Sequence, residues 1–294
     1  MIRPYLGHTS LFIASVLKSC ISCGMVFADP LPSEQALNEY NSSYFDSAHG
    51  GHSNNKIALA FYSGIARLRI SFIKSYLNKR GMTASNVMEV GPGMGYLARN
   101  WLSSNPNTQY FAVESDSSCY QPLQELGVKL LEVEEVKSGK NPADLIVMSH
   151  VLEHVSDPYN FLSSMTQGLR SGGVLFIEVP CQDWVHKSED EPHILFFEKP
   201  SMEFLLKRLG FVDIEMGYFG LEIGKLKNKS FLKKVIDKVR NKLIALGLIA
   251  PFSRVAPGME DLHEPLERAA VVPFLAHIES SEPAWWLRVV ARKP

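Results

Sequence analysis

Between residues 85 and 219, short apolar runs alternate with stretches in which apolar positions recur every three or four residues. The runs at 86–90, 109–114, 129–133, 145–149, 174–179 and 212–219 read as strands, and helical stretches lie between most of them. This alternation predicts an α/β fold, a parallel sheet with helices on both faces and right-handed crossovers. Upstream, Ile57, Leu59, Ala60, Ile65, Ala66, Leu68, Ile70, Ile73 and Leu77 form a broad apolar stripe, so 36–80 is expected to be a helical cap. Downstream, residues 225–242 hold eight Lys or Arg against Asp237, with Leu232, Val235, Ile236, Val239, Leu243 and Leu246 at helical spacing. That basic amphipathic helix precedes a final predicted strand at 285–292, expected to pair antiparallel with 212–219. Residues 1–35 read as a small separate element.

The chemistry concentrates where the first of these strands ends. Val87-Met88-Glu89-Val90 runs into Gly91-Pro92-Gly93-Met94-Gly95, and an apolar helical pattern follows. Glycines suit a sharp strand-to-helix turn where backbone must approach a ligand. The spacing G-x-G-x-G is neither the dinucleotide fingerprint, because position 96 is Tyr, nor a P-loop, because no Gly-Lys-Ser/Thr follows. It fits a ligand whose uncharged or zwitterionic part lies against the backbone, with Glu89 in place to meet an ammonium group. Glu114, 19 residues beyond Gly95, stands where an acid accepts hydrogen bonds from ribose hydroxyls, with Asp116 as its competitor. A second signature, Ser149-His150-Val151-Leu152-Glu153-His154, ends the strand at 145–149.

Composition narrows the classes. With 294 residues, 46% of them hydrophobic, a sizeable core is available. A net charge of -1 gives no overall drive toward nucleic acid or membrane, and no apolar run is long enough to span a bilayer. Cys20, Cys23, Cys119 and Cys181 are too scattered for a disulfide scaffold and fit a reducing, cytoplasmic setting. Lys18 interrupts the apolar stretch 11–17, which argues against a secretion signal. Cys20-x-x-Cys23-Gly has the form of one zinc knuckle, read as one that has lost its metal. His49 and His52 lie three apart in a loop of flexible composition and read as solvated.

Together, Glu89 to Gly95, Glu114, Asp144 to His154 and Leu169-Arg170-Ser171-Gly172-Gly173-Val174-Leu175 make residues 80–220 resemble a class I S-adenosylmethionine-dependent methyltransferase. Cys20-x-x-Cys23, Tyr40-x-x-x-Tyr44-Phe45, and Ile177-Glu178-Val179-Pro180 followed by Pro192-His193-Ile194-Leu195-Phe196-Phe197 are similar to bacterial sugar and secondary-metabolite methyltransferases with a degenerate zinc-ribbon remnant at 1–35. The resemblance implies a Rossmann-like, doubly wound sheet of seven strands in the order 3-2-1-4-5-7-6, the last antiparallel. It implies a methyltransferase core at 81–220 and a basic helical insertion plus edge strand at 221–294. It further implies that Gly91, Gly93 and Gly95 pack under the methionine part of the cofactor. Glu89 would face its amino group, Glu114 its ribose and Glu134 the adenine amine, with Ser149 and His150 at the sheet's carboxyl edge. His193, His150 and Glu178 are the candidate bases, and His154 is read as structural. No metal is expected. The acceptor would be a small molecule or sugar, with an anionic one among the options, methylated on oxygen; nitrogen or carbon acceptors, an RNA acceptor, an aminopropyl transferase and a non-catalytic binding module are the rival readings.

Overall fold

Two sheets organise the chain. The computed structural model describes residues 1–42, 55–227, 236, 239–244, 246–251 and 254–294. At the amino end, β1 (Arg3–Pro4), β2 (Val16–Ser19) and β3 (Val26–Asp29) pair antiparallel, and a helix α1 (Glu34–Ser42) follows. After α2 (Lys56–Lys79) comes the main sheet. Its strands are β4 (Asn86–Val90), β5 (Gln109–Val113), β6 (Lys129–Leu130), β7 (Ala143–Ser149), β8 (Leu169–Pro180), β10 (Val212–Glu222), β11 (Glu279–Ser280) and β12 (Ala284–Arg292). β9 (Leu195–Phe196) belongs to the first sheet, beside β3.

Across the main sheet the order is β11-β10-β12-β8-β7-β4-β5-β6. β4 to β8 are mutually parallel, while β12 runs antiparallel to both β8 and β10. The central strands are buried on both faces, β7 along all but its last residue, which is why they read as continuous apolar runs. The chain leaves β4 for β5 and β6 on one side, then returns to place β7 on the other. Ligands of open α/β sheets bind at such a reversal, beyond the carboxyl ends of the strands. The glycine loop after β4 and the Ser149-His150 segment after β7 therefore share one edge.

Helices cover the sheet. α2 is started by Asn55, whose side chain accepts hydrogen bonds from the Ile57 and Ala58 N–H groups at 3.0 and 3.4 Å. It packs on α3 (Tyr96–Ser104), which follows the glycine loop, and one buried cluster joins Ile73, Tyr76, Leu97 and Trp101 to Val87, Val147 and Phe176. The opposite face is covered by another, which runs from Met88, Ile146 and Ile177 into Tyr5, Phe12, Leu17 and Ala28. No described helix is long and apolar enough to cross a membrane.

Several expectations change. Among the described residues the sheet has eight strands rather than seven, because β10 runs on to Glu222 and Tyr218 and Phe219 pair with Ser280 and Glu279. The strand expected at 129–133 stops at Leu130: Glu132 and Glu135 form a reciprocal capping box that turns the chain into the helix at Val133–Lys137. The amino-terminal element is not separate, since β9 completes its sheet and its apolar side chains merge with the main core. His49 and His52 lie outside the described residues, as does most of the basic stretch 225–242.

Candidate functional site

The glycine loop takes its shape from three left-handed residues, with φ of 69° at Gly91, 53° at Gly93 and 70° at Gly95. Two of these glycines are also demanded by protein packing. A Cβ on Gly91 would meet Val151 Cγ2 at 2.7 Å, and one on Gly95 would meet Leu123 Cδ2 at 2.9 Å. Gly95 thus lies against its own protein and caps α3. Glu114, just beyond β5, closes over the loop: its Oε2 accepts the Gly93 N–H at 2.9 Å and its Oε1 the Asp116 N–H at 2.9 Å. Glu89 is buried in β4 and accepts the Tyr110 hydroxyl at 2.7 Å. Burial raises its carboxyl to about 7, against the pull of the Tyr110 hydrogen bond and the Arg69 charge. Two buried oxygens at this edge have no partner among the described residues, Ser149 Oγ and Asp116 Oδ2.

Beyond β7 the chain makes a tight corner. His150 has φ 57°, unusual for a residue with a side chain, and its N–H donates to the Glu178 carbonyl at 2.8 Å. Its ring is 36% exposed, with Nδ1 3.1 Å from Glu153 Oε1 and Nε2 3.4 Å from Glu178 Oε1. Burial would lower the His150 pKa, but the hydrogen bonds to Glu153 and Glu178 outweigh it and raise the value.

Glu178 does not hold the role of a free base. Arg69 of α2 reaches its Oε1 through Nε at 2.8 Å and Nη2 at 2.5 Å, and Arg288 of β12 reaches its Oε2 at 2.6 Å. The carboxylate is fully buried, yet the two guanidinium groups overcome the burial penalty and hold it well below the usual range. Glu134 is likewise misplaced for the adenine role: its side chain is 80% exposed in the helix at Val133–Lys137 and pairs with Lys137 at 2.8 Å.

His193 lies in the segment between β8 and β9. Its buried ring places Nδ1 2.6 Å from Asp183 Oδ2, and Lys187 joins the same oxygen at 2.6 Å. Against the cost of burial, His193 and Lys187 hold Asp183 well below the usual carboxylate range. The His193 and His154 rings meet edge to face with centroids 5.0 Å apart. The amino-terminal sheet fixes this segment. Arg3 grips Asp190 at 2.6 and 2.7 Å, Glu191 accepts the His8 and Thr9 N–H groups at 2.8 and 3.0 Å, and Tyr5 donates to the His193 carbonyl at 3.0 Å.

The structure therefore brings Glu89, Gly91, Gly93, Gly95, Glu114 and Ser149 to one part of the edge, and His150, Glu153, His154, Glu178 and His193 to its neighbour. Sequence reasoning missed Arg69, Asp183 and Arg288. One signal was present: Arg288 stands in the middle of a strand that is otherwise apolar from Ala284 to Ala291, where a cation needs a buried partner.

A family model described as a methyltransferase domain matches residues 62–216, a little over half the chain. The chain belongs to this family. No curated protein matches the sequence of this methyltransferase-family chain. Among solved structures, it is similar to the plantazolicin methyltransferase BamL, solved with a triazolic desmethylPZN analog and SAH, with a TM-score of 0.52 at 13% identity over 88% of this chain and 98% of that one. It is also similar to phosphoethanolamine N-methyltransferase 2 of Haemonchus contortus, solved with S-adenosyl-L-methionine, with a TM-score of 0.51 at 14% identity over 92% of this chain and 63% of that one. At such identities the likeness is one of fold alone.

Proposed function

We propose that this methyltransferase-family chain transfers a methyl group from S-adenosylmethionine to an oxygen of a small-molecule or sugar acceptor. The observation that carries the reading is the closure of Glu114 on the Gly93 N–H, beside the two orphaned oxygens of Ser149 and Asp116. A buried hydroxyl or carboxylate without a partner is costly, and a ligand rich in donors relieves that cost. A nucleoside that carries ribose hydroxyls and an amino group has those donors, so the residues present fit the cofactor. Glu114 keeps lone pairs for ribose hydroxyls after accepting its two backbone N–H groups. Glu89, poised near neutrality, supplies negative charge toward the amino group.

The sulfonium cofactor supplies an already activated methyl group. The protein's part is to align the acceptor, exclude water and take its proton. His150 is suited to the last of these: it is the half-exposed imidazole at the carboxyl edge, held by Glu153 and Glu178, and its strained backbone is typical of a residue placed for function. The test is transfer of a labelled methyl group from S-adenosylmethionine to a panel of nucleotide-linked sugars and small hydroxylated metabolites. Labelled product in which NMR places the methyl carbon on oxygen supports oxygen transfer; label on an amine or carbon replaces it.

A further inference from the structure

We infer that Glu153, His154 and His193 bind one divalent transition-metal ion of the zinc type on the acceptor side of this site. One ligand atom from each of the three residues can be chosen so that all lie within 4.8 Å of one another, and no other such trio of His, Cys, Asp or Glu occurs among the described residues. Two imidazoles and a carboxylate suit zinc, iron(II) or cobalt(II) better than calcium or magnesium, which take oxygen ligands. The surroundings have the form of a metal's outer shell. His193 uses Nδ1 on Asp183 at 2.6 Å, which leaves Nε2 as its ligating atom and makes a carboxylate–histidine pair of the kind that orients metal ligands. Glu153 is 1% exposed; its Oε1 faces His150, while its Oε2 is buried without a partner among the described residues. A buried carboxylate with one orphaned oxygen, on a residue whose ligand atom lies within 4.8 Å of two imidazoles, is explained by a cation.

Three protein ligands leave a coordination position open, as in catalytic rather than structural zinc sites. His150, 3.1 Å from Glu153 Oε1, marks the side on which an acceptor oxygen would enter. The ion would thus select acceptors that present a hydroxyl or carbonyl oxygen, a role that rests on the methyl-transfer reading; binding of the ion itself does not. The sequence concealed the site because His193 is contributed from beyond β8, held in place by Asp183 and by the Arg3–Asp190 pair.

The test is a titration of the full chain, stripped of metal, with Co²⁺, read by its visible absorption and repeated in competition with Zn²⁺. One equivalent is expected to bind, with ligand-field bands of a four- or five-coordinate site and no near-ultraviolet thiolate band. Asp183→Asn is expected to weaken binding by about 10–100-fold while far-ultraviolet circular dichroism stays unchanged. His193→Ala is expected to abolish the bands, and a Cys20→Ala/Cys23→Ala variant to retain them. Absence of stoichiometric binding by the wild type overturns the inference, as does binding that survives His193→Ala and is lost with the cysteines. S-adenosylmethionine titration of the same samples separates the two readings: cofactor binding without metal binding sinks only the metal site, whereas metal binding without cofactor binding sinks only the methyl-transfer reading.

Discussion

Glu114 Oε2 accepts the Gly93 N–H at 2.9 Å, so the acid expected to hold a ribose also holds the loop on which the cofactor would lie. The two functions are coupled by geometry, and a substitution there disturbs both. Glu114→Ala is expected to weaken S-adenosylmethionine binding by roughly 10- to 100-fold, the size of one or two hydrogen bonds to a charged acceptor. It should also cost about 1–2 kcal/mol of stability, because two backbone N–H groups lose their partner. Calorimetric titration and urea unfolding measure the two effects; unchanged cofactor affinity would remove Glu114 from the site.

Glu89 makes a pH prediction. Its folded pKa is raised from 4.5 to about 7 by burial. A carboxyl raised in the folded state contributes stability that is full below its unfolded pKa and is lost as pH rises through the folded one. The chain without cofactor should therefore lose on the order of 3 kcal/mol between pH 4.5 and 8 relative to Glu89→Gln, which keeps an acceptor for Tyr110 but does not titrate. If the cofactor's ammonium group sits near Glu89, binding favours the ionised form and releases a proton near pH 6.5. Calorimetry in buffers of different ionisation enthalpy detects that release; buffer-independent heats would contradict the placement.

The Glu178 clamp predicts a folding defect rather than a selective loss of turnover. Glu178→Ala leaves Arg69 and Arg288 facing each other without their counter-ion in the core. Breaking a buried pair in this way costs about 3–5 kcal/mol. Denaturant unfolding should show that loss, and a variant that stays fully stable while losing activity would restore Glu178 as a base.

Arg3 offers a test of the amino-terminal sheet as a brace. Arg3→Ala removes both hydrogen bonds to Asp190, and about 1–3 kcal/mol is expected to be lost because Asp190 is buried. Turnover should fall with cofactor affinity nearly unchanged, since the braced segment carries His193 and not the glycine loop. Equal loss of both parameters would mean that the sheet supports the whole molecule and not this segment.

Much of this was legible in residue order. The alternation of apolar runs and helical stripes follows from strands buried on both faces, so β4, β5 and β7 lie close to where periodicity places them. The three glycines and Glu114 meet because strand, turn and helix lengths fix their separation. What could not be read were long-range charges. Glu178 looked like a free carboxylate at a strand end until Arg69 and Arg288 arrived from elements 109 and 110 residues away. β6 ends sooner than its apolar run suggests because the capping box of Glu132 and Glu135 starts a helix at Val133. Cys20 and Cys23 drew attention as a local motif, yet among the described residues no third ligand joins them, while Glu153, His154 and His193 converge from two segments.

The central claim is that the glycine loop and Glu114 form a site for S-adenosylmethionine. The most direct measurement is calorimetric titration of the purified chain with S-adenosylmethionine and with S-adenosylhomocysteine. One site per chain with micromolar affinity for both is expected, weakened by Glu114→Ala. No binding of either compound, with the protein folded, would contradict it.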